Sequence, residues 1–169
     1  MKIEIPEFSL VVLVGVSGSG KSTFARTHFL PTEVVSSDFC RALVSDDEND
    51  LSVTDQAFDL VHEIARKRLA LGRLTVIDAT NVRSEFRKLF VEIAREFDCP
   101  PAAIVFDLPE NVCVERDEQR TDRDAGRGVI AKQHSQLRDR LDGLRGEGFR
   151  HVFVLESEEE ADGAMVVRS

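Results

Sequence analysis

The 169-residue sequence has few cysteines and no long hydrophobic run, and both features limit the classes of protein to which it can belong. Its three cysteines, Cys40, Cys99 and Cys113, are an odd number without paired spacing. They argue against a disulfide framework or a zinc site and favour a reducing cytoplasm. The longest apolar run, Leu10–Val14, is too short to span a membrane, and the first residues show no signal-peptide core. We therefore expect a cytoplasmic protein without a membrane partner.

Positive charge is also scarce. The formal net charge is -9, which argues against a protein that coats long nucleic acids through electrostatic attraction. The charge is uneven, because residues 116–150 carry more Lys and Arg than Asp and Glu, whereas the segments on either side are acidic. An anionic ligand should therefore contact local arginines rather than respond to the overall charge.

The composition that remains is that of one globular domain, in which short apolar segments alternate with helical patterns. Five strands are expected, over Ser9–Val14, Glu33–Ser36, Leu74–Ile77, Ala102–Phe106 and His151–Leu155. Helices are expected over Lys21–Phe29, Thr54–Leu71 and Val82–Phe97, from Pro109 onwards, and over Val129–Leu144. This alternation predicts an α/β fold with a five-stranded parallel sheet and helices on both faces. Ligands of such folds bind beyond the C-terminal ends of the strands.

The first predicted strand runs into Gly-Val-Ser-Gly-Ser-Gly-Lys-Ser, residues 15–22, which matches the phosphate-loop pattern G-x-x-x-x-G-K-[ST]. Glycines let successive backbone N–H groups point inward at phosphate oxygens. Lys21 should reach the β- and γ-phosphates of ATP, and the Ser22 hydroxyl should bind Mg²⁺. The residues predicted to contact ATP are Gly15, Ser17, Gly18, Ser19, Gly20, Lys21, Ser22 and Thr23. The alternative is a glycine-rich turn that only closes a strand–helix unit, and the match of both motif and context disfavours it.

Two acidic residues follow the second and third predicted strands. Asp38 precedes Arg41 by three residues, so both share a face if a helix begins at Asp38. Asp38 could be the base that deprotonates an alcohol acceptor, and Arg41 could hold an acceptor phosphate. Alternatively, Asp38 caps the helix and Arg41 is solvated. Asp78 could order Mg²⁺ through water, or it could cap the next helix together with Thr80 and Asn81.

Arg116, Arg120, Arg123 and Arg127 are spaced by four, three and four residues, and on a helix they would form one ridge. A movable lid that carries such arginines would bring positive charge to a transferring phosphoryl group and exclude water. The alternative is a solvated face that pairs with neighbouring acidic residues. Arg127, between two glycines, is the expected bystander. A small phosphate-loop protein with a late arginine cluster looks like the nucleoside-phosphate-kinase-like phosphotransferases.

Two other features have ordinary interpretations. Phe39, Phe58 and Phe86 could stack on a nucleobase, but core packing is the expected role of each. The acidic stretch Ser45–Asp50 is expected to be a solvated loop.

The two sequence strings that identify GTPases, Asn-Lys-x-Asp and Asp-x-x-Gly, are absent, and large ATPases have longer chains.

The chain resembles the 5′-kinase domain of bacterial polynucleotide kinase-phosphatases, which repair RNA ends. The strings that carry the resemblance extend over most of the chain, at residues 15–23, 34–41, 43–50, 75–81 and 120–123. The Val-Val-Ser-Ser-Asp-Phe-Cys-Arg and Leu-Val-Ser-Asp-Asp-Glu-Asn-Asp strings together are much more specific than the phosphate loop, which many kinases share.

The resemblance implies an ATP- and Mg²⁺-dependent enzyme that phosphorylates 5′-OH ends of RNA or DNA in nucleic-acid repair. It implies that Asp38 is the general base, that Arg41 touches the acceptor strand, and that Arg116 and Arg123 are lid arginines on the phosphates. It further implies that residues 1–169 are the N-terminal module of a longer chain with phosphatase and ligase-like modules. An RNA 3′-end methyltransferase is a candidate partner, and a homodimer is left open. The competing hypotheses are a small-metabolite kinase and a non-catalytic ATP-binding module.

Overall fold

The computed structural model describes residues 1–122 and 125–169 as an α/β fold. Its strands are β1 (Lys2–Ile5), β2 (Leu10–Gly15), β3 (Val34–Ser36), β4 (Thr75–Asp78), β5 (Pro101–Phe106), β6 (His151–Leu155) and β7 (Met165–Arg168). Its helices are α1 (Lys21–His28), α2 (Ser37–Ser45), α3 (Thr54–Ala70), α4 (Ser84–Glu96), α5 (Glu110–Glu118), α6 (Arg127–Arg140) and α7 (Glu158–Gly163). Within the described residues, no helix is long and apolar enough to cross a membrane.

The central sheet has the order β3-β4-β2-β5-β6, and all its strands are parallel. Every residue of β2 and β5 is buried, as expected for strands covered on both faces. Ser36 lies opposite Asp78, and Val12 lies opposite Ile77. The C-terminal ends of β3, β4 and β2 therefore form one continuous edge of the sheet. The predicted five-stranded parallel sheet is confirmed, although Glu33 belongs to a short 3₁₀ turn before β3 rather than to the strand.

A second sheet was not anticipated from the sequence. β1 and β7 pair in parallel, with Lys2 opposite Met165, and so join the two ends of the described chain. The guanidinium of Arg168 donates to both carboxylate oxygens of Glu33 at 2.8 and 2.7 Å, and it lies 5.7 Å from the ring centroid of Phe29. These contacts fix the small sheet to the end of α1 and to the turn before β3.

The prediction that the arginines form one helical ridge is wrong. α5 ends at Glu118, because the buried Asp117 accepts hydrogen bonds from the backbone N–H groups of Ala125 and Gly126 at 3.2 and 3.1 Å. The chain therefore turns back beneath the end of α5, and Gly126 adopts a positive φ of 88° before α6 begins. Arg116 lies on α5, Arg120 follows it, and Arg127 begins α6. Arg123 lies outside the described residues.

Candidate active site

The loop between β2 and α1 has the geometry of a phosphate cradle. Gly18 and Gly20 adopt left-handed φ values of 79° and 93°. A Cβ at Gly18 would lie 2.3 Å from the carbonyl oxygen of Cys113, and one at Gly20 would lie 2.9 Å from a guanidinium nitrogen of Arg116. Gly18 therefore requires glycine on steric as well as conformational grounds, whereas Gly20 requires it for its left-handed backbone, because the flexible end of Arg116 can shift. No side chain of the described chain caps the first turn of α1, which leaves its N–H groups available to an anion.

Lys21 is the first residue of α1, and its side chain folds back over this loop. Its ammonium donates to the carbonyl oxygen of Val16 at 2.9 Å and to the Ser19 hydroxyl at 3.4 Å. Lys21 is largely buried, so its charge is concentrated at the cradle rather than dispersed in solvent. An ammonium held there complements the oxygens of a bound phosphate chain.

Ser22 and Asp78 join the first turn of α1 to the end of β4. The Ser22 hydroxyl donates to Asp78 Oδ2 at 2.8 Å. Asp78 does not cap α4, whose N-cap residue is Arg83 and which has no side-chain cap, so the capping alternative for Asp78 is wrong. Hydroxyl and carboxylate oxygens are the ligands that Mg²⁺ prefers. The glycine cradle, the Lys21 ammonium and this oxygen pair therefore fit a nucleotide with its magnesium ion.

Asp38 and Arg41 lie on α2, which begins directly after β3. Arg41 donates to Asp38 Oδ1 at 2.8 Å and reaches the Thr54 hydroxyl at 3.5 Å. The cap of α2 is Ser36, whose Oγ accepts from the backbone N–H of Phe39 at 3.2 Å. The capping alternative for Asp38 is therefore wrong, and so is the solvated alternative for Arg41, which is buried. The Asp38 side chain retains 33% of its exposure, so its carboxylate can reach a ligand.

Arg116 and Arg120, the two described arginines that were predicted to belong to a lid, hold different positions. Arg116 donates to the Ser19 carbonyl oxygen at 3.4 Å and pairs with Glu158 at 2.8 Å, so it lies against the phosphate loop. Arg120 donates two hydrogen bonds to Asp122, which raise the pKa of Arg120, and the charge of Asp38 acts in the same direction.

The bystander Arg127 is 75% exposed and pairs with Glu118 at 3.2 Å. This surface ion pair is the arrangement expected of a solvated charge. Arg127 thus differs from Arg116, which contacts the phosphate loop.

Sequence reasoning missed two contacts around the site. Gln133 on α6 accepts a 2.9 Å hydrogen bond from the backbone N–H of Ser17, although 116 positions separate them. Asn49, in the acidic stretch, donates to the carbonyl oxygen of Asp122 at 3.4 Å. The acidic stretch is therefore not only a solvated loop, since it contacts the segment that follows α5. Neither contact has a local sequence signal.

Aromatic and cysteine side chains near the site separate into buried and exposed groups. Phe58 and Phe86 stack on each other with ring centroids 5.4 Å apart, as core packing requires. Phe39 is 62% exposed, so the expectation that it packs in the core is wrong. Burial raises the pKa of the Cys40 thiol, which makes this residue a poor nucleophile.

A phosphate loop after the central strand, with carboxylates at the ends of the next two strands, defines a P-loop kinase fold. The chain belongs to the AAA_33 family, described as an AAA domain, whose family model matches residues 10–144. It is accordingly a P-loop phosphotransferase of the kinase type. The P-loop kinase fold implies nucleotide binding.

A curated relative from Arabidopsis thaliana is named transcription factor bHLH140. The two chains are 27% identical over 160 residues, and the match covers 92% of this chain but 17% of that protein. The present chain therefore spans less than a fifth of the length of this relative.

Two solved structures are similar in fold to this chain. A chain of the Pnkp1/Rnl/Hen1 RNA repair complex is 28% identical, with a TM-score of 0.70 over 82% of this chain and 47% of that chain. The present chain thus spans about half the length of this neighbour. A gluconokinase from Sinorhizobium meliloti is 18% identical, with a TM-score of 0.59 over 93% of this chain and 91% of that chain. The gluconokinase likeness shows the shared fold alone.

Proposed function

We propose that this chain is a polynucleotide 5′-hydroxyl kinase, which transfers the γ-phosphoryl group of ATP to 5′-OH ends of RNA or DNA in nucleic-acid repair. The observation that carries the proposal is the Asp38–Arg41 pair, held at 2.8 Å at the end of β3 on the same sheet edge as the phosphate loop. The 28% identity to a chain of the RNA repair complex supports a polynucleotide acceptor over other alcohols.

On the donor side, the loop N–H groups and Lys21 would bind the phosphate chain, and Ser22, with Asp78 through water, would hold Mg²⁺. Bound ATP would supply the phosphoryl group, and the chemistry that Mg²⁺ would supply there is neutralisation of phosphate charge. Arg116 already contacts the Ser19 carbonyl oxygen, so a small movement brings its guanidinium onto a phosphate.

On the acceptor side, Asp38 takes the proton of the 5′-hydroxyl as the new O–P bond forms and the bond to ADP breaks. The transition state of phosphoryl transfer is loose, so an ordinary carboxylate is sufficient as the base. Arg41 orients this carboxylate through the 2.8 Å ion pair, and we assign it a contact with the acceptor strand as well. β4 alone separates β3 from β2 in the sheet, which keeps acceptor and donor sites adjacent.

The lid supplies positive charge between the two sides. Arg116 is at the phosphate loop, and the hydrogen bonds to Asp122 raise the pKa of Arg120, with a smaller contribution from the charge of Asp38. We propose that Arg116, Arg120 and Arg123 close over the transferring group and stabilise the charge that develops on it. Closure would break the Arg116–Glu158 pair, a partly exposed contact of low cost.

We extend the proposal to a longer chain in which residues 1–169 are the kinase module, beside phosphatase and ligase-like modules. The match to about half of a chain in the RNA repair complex supports this arrangement. An RNA 3′-end methyltransferase and a second copy of this chain are the partners to test, by co-purification and by light scattering.

Label transfer from γ-labelled ATP to a 5′-OH oligonucleotide tests the proposal, with the same oligonucleotide carrying a 5′-phosphate as control. We expect label on the 5′-OH strand alone, and no inhibition by an excess of gluconate or free nucleoside. Transfer to gluconate or to a nucleoside instead would establish a small-metabolite kinase. ATP binding without transfer to any acceptor would establish a non-catalytic nucleotide-binding module.

A further inference from the structure

An apolar surface lies beside Asp38 on α2. Phe39 is 62% exposed and Leu43 is 59% exposed, and their spacing of four places them one turn apart on the same side of the helix. All eleven phenylalanines lie in the described part of the chain, and among them only Phe39 is exposed. It makes no ring contact with another described aromatic residue. The two side chains therefore offer an open surface next to the proposed base.

The remainder of α2 is already used by the fold. Cys40 and Arg41 are buried, and the helix packs against α3. A rotation of about 100° per residue places Phe39 on the flank of α2 next to the partly exposed face that carries Asp38. An acceptor whose 5′-oxygen meets Asp38 therefore has its sugar and base within reach of the Phe39 ring.

Charge determines which part of an acceptor this surface can bind. The segment after α2 carries Asp46, Asp47, Glu48 and Asp50, and it reaches the lid through the hydrogen bond between Asn49 and Asp122. These carboxylates repel phosphates on this side of the site. Contacts with the uncharged part of a nucleotide, its base, are the ones that remain favourable there. Stacking of a base on an aromatic ring is such a contact, and it tolerates any base because every base has a π-face.

We infer that Phe39 and Leu43 form a stacking platform for the 5′-terminal nucleobase of the acceptor strand. The inference rests on the proposed function and deepens it, since it names the part of the substrate that distinguishes a polynucleotide end from a sugar acid. The platform selects for a base without selecting its identity, and Asp38 and Arg41 then act on the adjoining hydroxyl. The test must exclude two alternatives, in which this surface is covered by residues of the closed lid or by a second copy of this chain.

The test compares Phe39→Ala with Phe39→Trp in acceptor kinetics at saturating ATP. Losing a stacked base weakens binding by about tenfold, so we expect Phe39→Ala to raise KM for a 5′-OH oligonucleotide by about that factor. The change in kcat should be much smaller, and Phe39→Trp should restore KM. Leu71→Ala is the matched control, because Leu71 is 77% exposed at the end of α3, away from the C-terminal edge of the sheet. It should leave KM unchanged.

A second arm uses an acceptor whose 5′-terminal residue lacks a base. The unsubstituted chain should bind this acceptor about tenfold more weakly than the intact one, whereas Phe39→Ala should not distinguish the two. This loss of discrimination is a result that general destabilisation does not produce. Matching far-ultraviolet circular dichroism spectra and Tm values will show that the variant is folded, as expected for an exposed position.

Several outcomes overturn the platform. An unchanged KM for Phe39→Ala, or equal use of abasic and intact acceptors by the unsubstituted chain, shows that no base stacks there. A fall in kcat at constant KM assigns the surface to the closed lid. A variant-dependent change in molecular mass assigns it to a second copy. In each of these cases the unsubstituted chain still phosphorylates oligonucleotides, whereas failure of that reaction itself overturns the proposed function and the platform together.

Discussion

The Ser22 hydroxyl donates a 2.8 Å hydrogen bond to Asp78 Oδ2, and this bond connects the phosphate-loop helix to the neighbouring strand. The pair places a hydroxyl oxygen and a carboxylate oxygen at one point of the sheet edge. The bond also orients the serine hydroxyl, because the Asp78 carboxylate is largely buried and held at the end of β4. We expect the affinity for Mg²⁺ to depend on both residues.

Ser22→Ala and Asp78→Asn should each lower the affinity for Mg²⁺ by about ten- to a hundredfold. This is the usual effect of losing a contact that supports a metal site. The measurement is a Mg²⁺ titration of ATP-analogue binding, with phosphate transfer as a second readout. Ser135→Ala, on the exposed side of α6, is the control. Identical half-saturation for Asp78→Asn and the unsubstituted chain would remove Asp78 from the metal site.

Gly18→Ala should damage the phosphate loop. The new Cβ would lie 2.3 Å from the Cys113 carbonyl oxygen, and the left-handed backbone alone costs about 1–2 kcal/mol for a residue with a side chain. We expect a lower Tm and at least tenfold weaker binding of an ATP analogue. Gly128→Ala is the matched control, since among the described residues no atom lies within 4 Å of its added Cβ. Equal nucleotide affinity in Gly18→Ala would contradict the observed loop packing.

The Glu33–Arg168 pair should make stability dependent on pH. Burial alone would raise the pKa of Glu33, but hydrogen bonds from Arg168 and from the Leu30 backbone N–H, together with the charges of Arg168 and Arg68, outweigh it and lower the pKa. A carboxylate whose pKa is lower in the folded state stabilises the fold above its unfolded-state pKa, about 4.3, and this contribution disappears as the pH falls through the folded-state value.

Glu33→Gln should therefore lower the free energy of unfolding at pH 7 by about 1–3 kcal/mol, by leaving a charged partner poorly satisfied. It should also flatten the decline of stability between pH 7 and pH 3, measured by urea denaturation. Glu63→Gln, which removes an exposed pair with Lys67, is the control with little effect. A Glu33→Gln curve parallel to that of the unsubstituted chain would show that the pair does not couple to protons.

The sequence was sufficient to predict the central sheet and the positions of Lys21, Asp38 and Asp78 at its edge. Those predictions depend on local patterns and on one topological rule, that parallel strands bring their C-terminal ends together. The pairing of β1 with β7 joins segments at opposite ends of the described chain, and neither four-residue strand shows a strong pattern on its own.

The remaining errors concern side chains whose environment depends on the whole fold. The Gln133 contact with Ser17 depends on where α6 packs, and the exposure of Phe39 depends on which side of α2 meets α3. The arginine spacing was helical, but Asp117 binds the backbone of residues 125 and 126 and ends the helix early. Spacing alone cannot show that a carboxylate will do so.

Acceptor binding should depend only weakly on salt. The chain is acidic overall, and the proposed site provides a few arginines, so we expect two or three phosphate contacts. Each contact on a single strand contributes about -0.7 to the slope of log affinity against log salt, and the whole slope should be about -1.4 to -2.1. Fluorescence anisotropy with a 5′-OH oligonucleotide gives this slope, and Arg41→Gln should reduce its magnitude by about 0.7. A slope that corresponds to eight contacts would contradict the account.

The most direct measurement is single-turnover transfer from saturating ATP to a 5′-OH oligonucleotide by Asp38→Asn, beside Asp98→Asn as a control in the exposed turn before β5. Losing a general base costs about 10²- to 10⁴-fold, so the Asp38 variant should lose at least a hundredfold in rate while its ATP affinity is retained. The Asp98 variant should transfer phosphate at the unsubstituted rate. Transfer by Asp38→Asn at a near-native rate would show that another group accepts the hydroxyl proton and would contradict the central claim.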